Sequence, residues 1–125
     1  MNASEEATTL LRADARSAGR ARAFLRDALA RWGCNHMVEL TVLVANEVVT
    51  NAILHARTEV SLSIRMMQGY VRVEVVDLSH DEPVPRPTPV DATGGRGLAL
   101  LDATATRWGV DRLPEGKRVW FDMDI

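Results

Sequence analysis

Apolar and polar positions alternate with two different periods along this chain, and the periods mark its elements. Between residues 16 and 32, Ala18, Ala21, Leu25, Ala28 and Trp32 recur at steps of three and four, with Arg20, Arg22, Arg26, Asp27 and Arg31 between them. That spacing predicts an amphipathic helix, with Gly33 placed to end it. From Met37 to Ala56 the apolar residues run almost all round the helical wheel, from Leu40 and Val42 to Ala52 and Ile53. Such a helix is expected to be central and buried. The period then drops to two. Val60, Leu62, Ile64 and Met66 alternate with Ser61, Ser63 and Arg65, and Val71, Val73 and Val75 alternate with Arg72 and Glu74. These are half-buried strands, and Met67-Gln68-Gly69-Tyr70 joins them as a hairpin.

Four of the five prolines fall at 83, 85, 87 and 89, where neither helix nor ladder can form. Residues 79 to 93 are therefore expected to be a long loop acting as a lid. Gly94-Gly95-Arg96-Gly97 opens a third helix through Leu98, Leu101 and Ala105. Trp108-Gly109-Val110 and Arg118 to Met123 close the chain as two strands joined at Leu113-Pro114-Glu115-Gly116. Residues 6 to 12 are a weak first strand. The order β-α-α-β-β-loop-α-β-β predicts an α+β domain spanning residues 1–125. Its form is a two-layer α/β sandwich, a mostly antiparallel mixed sheet with about three helices on one face.

Composition narrows the function. At 125 residues there is room for one core. A net charge of −2 gives no global basic field, so direct nucleic-acid binding is not expected. No run of apolar residues approaches the roughly 20 needed to span a bilayer, and Met1 to Glu6 does not read as a signal peptide, so no membrane association is expected. One cysteine, Cys34, forms no intrachain disulfide, and with His36, His55 and His80 it shows no metal-ligand spacing. A cytoplasmic protein is the expectation.

Three features sit where polar groups are unusual. Asn46, Glu47, Thr50, Asn51 and His55 share one half of the second helix, with Glu47 and Asn51 one turn apart. As a plain solvated face this would ordinarily be Arg-, Lys- and Glu-rich, like the first helix. As a functional face, its carboxylate could serve as a general base and its amide oxygen as a hard Mg²⁺ ligand. Asp77 has the phase of Val71, Val73 and Val75, so it either caps the loop or points inward as an acceptor for a ligand such as an adenine amino group. Gly95-x-Gly97 at a helix start is either a flexible cap or an anion site. Together they fit one pocket between helix and sheet.

At this point the segment Asn46-Glu47-Val48-Val49-Thr50-Asn51-Ala52-Ile53-Leu54-His55-Ala56 resembles the N box of the superfamily that includes gyrase, histidine kinases and mismatch-repair ATPases. Val73 to Asp77, Gly95 to Asp102, Arg107-Trp108-Gly109 and Gly116 to Phe121 match further family segments in the right order. Within that superfamily the chain is most similar to the short anti-sigma-factor serine/threonine kinases. The resemblance implies the Bergerat ATPase fold, with ATP and Mg²⁺ as cofactors. It implies that Asn51 holds Mg²⁺, that Glu47 is the catalytic base towards a Ser or Thr hydroxyl, and that Asp77 accepts from the adenine amino group. It further implies that Gly95, Arg96, Gly97 and Leu98 pack against the phosphates, and that Thr50 and His55 shape the pocket.

The implied partners are a sigma factor and an anti-sigma-factor antagonist protein, and the resemblance is compatible with a homodimer. Two departures stand out. Asp77-Leu78-Ser79-His80-Asp81 lacks both glycines of the family's Asp-x-Gly-x-Gly box, and Arg118 stands where the last strand commonly offers Thr or Ser beside the adenine carboxylate. The main expectation is an ATP-dependent protein kinase. The alternatives are a nucleotide- and partner-binding switch without transfer and, less favoured, an ATPase whose Glu47 activates water. The arginine-rich first helix is either a docking face for acidic partners or simply solvated.

Overall fold

The computed structural model describes residues 5–78 and 94–125, with side chains from residue 99 onward in the second stretch. The order is β1 (Glu6–Leu11), α1 (Ser17–Arg31), a 3₁₀ turn (Asn35–Met37), α2 (Val38–Ala56), β2 (Val60–Met66), β3 (Tyr70–Asp77), α3 (Gly94–Thr104), β4 (Arg107–Leu113) and β5 (Gly116–Asp124). The sheet runs β1-β2-β3-β5-β4, and every described pairing is antiparallel, so nothing mixed is seen in it. The lid expected at 79–93 lies outside the described residues.

Period two decides the layers. Leu11, Val60, Leu62, Ile64, Val71, Val73, Val75, Phe121 and Met123 share one face of the sheet and are buried. Ala21, Leu25, Ala28 and Leu29 of α1, Val44, Ala45, Val48 and Val49 of α2, and Leu101 of α3 complete that core from the helical side. Each fully buried Val, Leu or Phe contributes about 1.5–3 kcal/mol relative to exposure, which makes this shared face the main source of stability. Helix α2 packs on β2 and β3 and lies between α1 and α3. It is thus the element that every candidate site residue on the helical side must approach.

Two expectations about α2 need correction. With its preceding turn it forms a 22-residue helical stretch, Asn35–Ala56, that is by length and composition apolar enough to cross a membrane. The helix is also not buried all round. Thr41, Val44, Ala45, Val48 and Val49 face inward, while Leu40, Leu43 and Leu54 are about half exposed. Apolar character on a surface is common because polar atoms are too few to cover a folded chain.

The helix ends follow local chemistry. Gly33 adopts φ +74° just past α1, the left-handed conformation in which a residue without Cβ is unstrained, and its N–H reaches the carbonyl of Ala30. Arg57 does the same work after α2 at φ +57°, with its N–H on the carbonyl of Ile53, although it carries a side chain.

The second face of the sheet holds a buried acid. Asp122 is fully buried and accepts hydrogen bonds from Arg72 (2.6 and 3.0 Å) and Arg107 (3.0 Å). Arg72 in turn lies 4.4 Å from the centre of the Trp120 ring, and Arg107 lies 4.8 Å from that of Tyr70. Burial alone would raise the Asp122 carboxyl, but the hydrogen bonds from Arg72 and Arg107 outweigh it and hold the group below the usual carboxylate range. Gly109 completes the cluster, because a Cβ there would stand 2.8 Å from the Trp120 ring.

Candidate functional site

Helix α2 carries the first half of the site. Glu47, Thr50 and Asn51 are each partly buried, neither solvated like the Arg face of α1 nor lost in the core. Glu47 and Asn51 are one turn apart, so their side chains lie along the same side of the helix. Asn46 lies on α2 as well, and its buried Oδ1 has no hydrogen-bond partner among the described residues. A buried amide oxygen without a partner costs about 1–3 kcal/mol, so such groups mark places where something else belongs. His55 is exposed in the last turn of α2.

Strand β3 carries the second half. It continues through Asp77, which does not cap a loop but points to the helix-facing side and is only 2% exposed. Its register partner is Lys117 at the start of β5, and the Lys117 ammonium lies 3.0 Å from Oδ2 and 3.2 Å from Oδ1. Gly116 makes this meeting possible. A Cβ at Gly116 would run into the carbonyl oxygen of Asp77 and stand 2.8 Å from the Leu78 Cα, so only glycine lets β5 begin against the end of β3.

Arg118 does not take the place expected of it beside Asp77. It faces the opposite side of the sheet and pairs with Asp111 at 3.0 Å. The physical reason is parity: Val119 and Phe121 fix the inward phase of β5, which includes 117 and excludes 118. That signal was available in the sequence, and it points to Lys117, which the motif comparison passes over.

Gly95, Arg96, Gly97 and Leu98 lie in the first turns of α3, the helix that packs against α2. Their backbone N–H groups belong to a helix N-terminus, where unpaired donors and the helix dipole favour an anion. Trp108 Nε1 donates to Asp102 at 3.2 Å and ties the far end of α3 to β4. Helix α2 with its polar row thus packs on β3, which ends at Asp77, and on α3, while His55 is exposed in the last turn of α2.

Among the described residues, no three of His, Cys, Asp and Glu gather as a metal cage. What the polar row of α2 offers instead is the Glu47 carboxylate and, one turn on, the Asn51 amide oxygen, both hard oxygen donors. That set fits Mg²⁺, which keeps several waters and takes its remaining ligands from substrate phosphates.

Two comparisons bear on this geometry. The family described as the histidine kinase-like ATPase domain matches residues 11–123, from the end of β1 into β5. An uncharacterised protein of Streptomyces coelicolor is 37% identical over 78 residues, covering 58% of this chain and 74% of the relative.

Proposed function

Because this chain belongs to the histidine kinase-like ATPase domain family, we propose that it is an ATP-dependent serine/threonine protein kinase of the anti-sigma-factor kind. In this reading it works in the cytoplasm, holds a sigma factor, and phosphorylates a small antagonist protein. The family supports ATP binding in a regulatory role. The observation that carries the finer reading is the pairing of partly buried Glu47 and Asn51 on the helix that lies over β3, whose last residue is the buried Asp77.

In this mechanism Asp77 accepts a hydrogen bond from the adenine amino group, and the N–H groups at Gly95 to Gly97 face the phosphates. Asn51 would hold Mg²⁺, which supplies charge neutralisation across the phosphate oxygens. Glu47 takes the proton from the Ser or Thr hydroxyl of the protein substrate. The hydroxyl oxygen forms its bond to the γ-phosphorus as the bond from that phosphorus to the β,γ-bridging oxygen breaks, and ADP leaves. Transfer of this kind needs positioning and neutralised charge more than covalent chemistry, so few side chains suffice.

The test mixes the protein with labelled ATP, Mg²⁺ and candidate antagonist proteins, beside Glu47→Ala and Asn51→Ala. Label appearing on Ser or Thr of an antagonist, and falling at least about a hundredfold in both variants, supports the kinase. Transfer that survives in Glu47→Ala excludes this role for Glu47. A second reading is a nucleotide- and partner-binding switch, favoured by the Lys117 ammonium already seated on Asp77. ATP binding with no label on any antagonist would select it.

A further inference from the structure

The Asp77–Lys117 pair is more than a solvated ion pair. Both residues lie on the helix-facing side of the sheet, in register across β3 and β5, with Lys117 only 11% and Asp77 2% exposed. The strand crossing that joins them demands glycine at 116. The neighbouring arginine, Arg118, is turned away to Asp111. The base end of the proposed nucleotide site therefore presents a carboxylate and an ammonium side by side, one an acceptor and the other a donor.

That pairing has a definite chemical complement. A lone carboxylate would hold any ligand edge carrying an N–H. A carboxylate beside an ammonium fits an edge on which a donor adjoins an acceptor, as the 6-amino group of adenine adjoins N1. We propose that Lys117 is a specificity-determining residue of the base site, donating to N1 while Asp77 accepts from the 6-amino group. This rests on the nucleotide reading above and adds to it the group that reads the second atom of the base. A charge-assisted hydrogen bond discriminates because the analogue offers a C–H at that position, which cannot accept from the ammonium.

The experiment compares ATP with 1-deaza-ATP, in which N1 is replaced by C–H, by equilibrium titration with Mg²⁺ present. The proteins are the wild type, K117M, K117R and the double variant D77N/K117M, which removes both charges together. Each protein is scored by the ratio of its own two affinities, so any loss of folded protein cancels. Wild type is expected to prefer ATP by at least about tenfold, equivalent to about 1.4 kcal/mol. K117R should keep a preference, whereas K117M and D77N/K117M should bind the two ligands alike. An equal ratio in wild type and K117M would overturn the proposal. So would a K117M protein that binds ATP more tightly than wild type, since Lys117 would then be an occluding group. If wild type binds neither nucleotide, the nucleotide reading itself falls, and this result is distinct from ATP binding with an unchanged ratio.

Discussion

Single residues on the two faces of the sheet do opposite jobs. On the outer face, Asp122 is fully buried, and Arg72, Arg107, Trp120 and Tyr70 cluster about it. Removing one member of a buried ion pair leaves the others uncompensated. Asp122→Asn is expected to lower stability by about 3 kcal/mol, towards the smaller end because both arginines keep part of their hydration, as measured by urea denaturation at pH 7.

The sign of the pH dependence follows from the same contacts. The Asp122 carboxyl is held below its usual range in the folded protein, because hydrogen bonds from Arg72 and Arg107 outweigh its burial. Its contribution is therefore fully present above the unfolded value of about 4 and is lost as the pH falls through its lower folded value. Denaturation midpoints between pH 5 and pH 2 should fall more steeply in the wild type than in Asp122→Asn. Parallel curves would show that the pair carries no such linkage. Cys34 illustrates the contrary case, since burial and then the nearby Glu5 push its thiol up and away from the reactive thiolate.

Among the elements, the alternating strands β2 and β3 and the Gly33 end of α1 were all legible in the sequence. Val60, Leu62 and Ile64 against Ser61, Ser63 and Arg65 can be read as nothing but a half-buried strand, and β2 forms there. The same rule, extended by two residues, would have placed Lys117 inward. Family position points to Arg118 beside Asp77, whereas the alternation of β5 points to Lys117. Asp77 was ambiguous for a different reason: strand and turn starts both accept Asp, and only the pairing of β3 with β5 as far as Lys117 decides between them. Apolar count does not fix the burial of α2, because Leu40, Leu43 and Leu54 stand outside.

The left-handed end of α2 was not legible at all, since nothing marks an arginine for positive φ. It carries its own prediction. A side chain in that conformation costs about 1 kcal/mol. Arg57→Gly should therefore raise stability by roughly 0.5–1 kcal/mol in urea denaturation, with the fold and the α2 site unchanged. A loss of stability would mean that the exposed Arg57 side chain contributes more than its backbone strain costs.

For the molecule as a whole, a single shared core positions the candidate residues. One face of a five-stranded sheet and three helices share a single core, and the residues of functional interest sit along that boundary without being part of it. Glu47, Thr50 and Asn51 come from α2, Asp77 and Lys117 from β3 and β5, and the glycines from α3, so no loop has to supply the described half of the site. Rigid elements of this kind position groups better than loops do.

The most direct measurement is equilibrium binding of ATP with Mg²⁺ to the purified chain, beside Asp77→Asn. Saturable binding is predicted with a Kd well below 1 mM, a threshold corresponding to about 4 kcal/mol, and a loss of at least about tenfold is predicted in Asp77→Asn. Wild-type protein that shows no saturation at millimolar ATP, or an Asp77→Asn protein that binds as tightly as wild type, would contradict a nucleotide site built around the buried acid of β3.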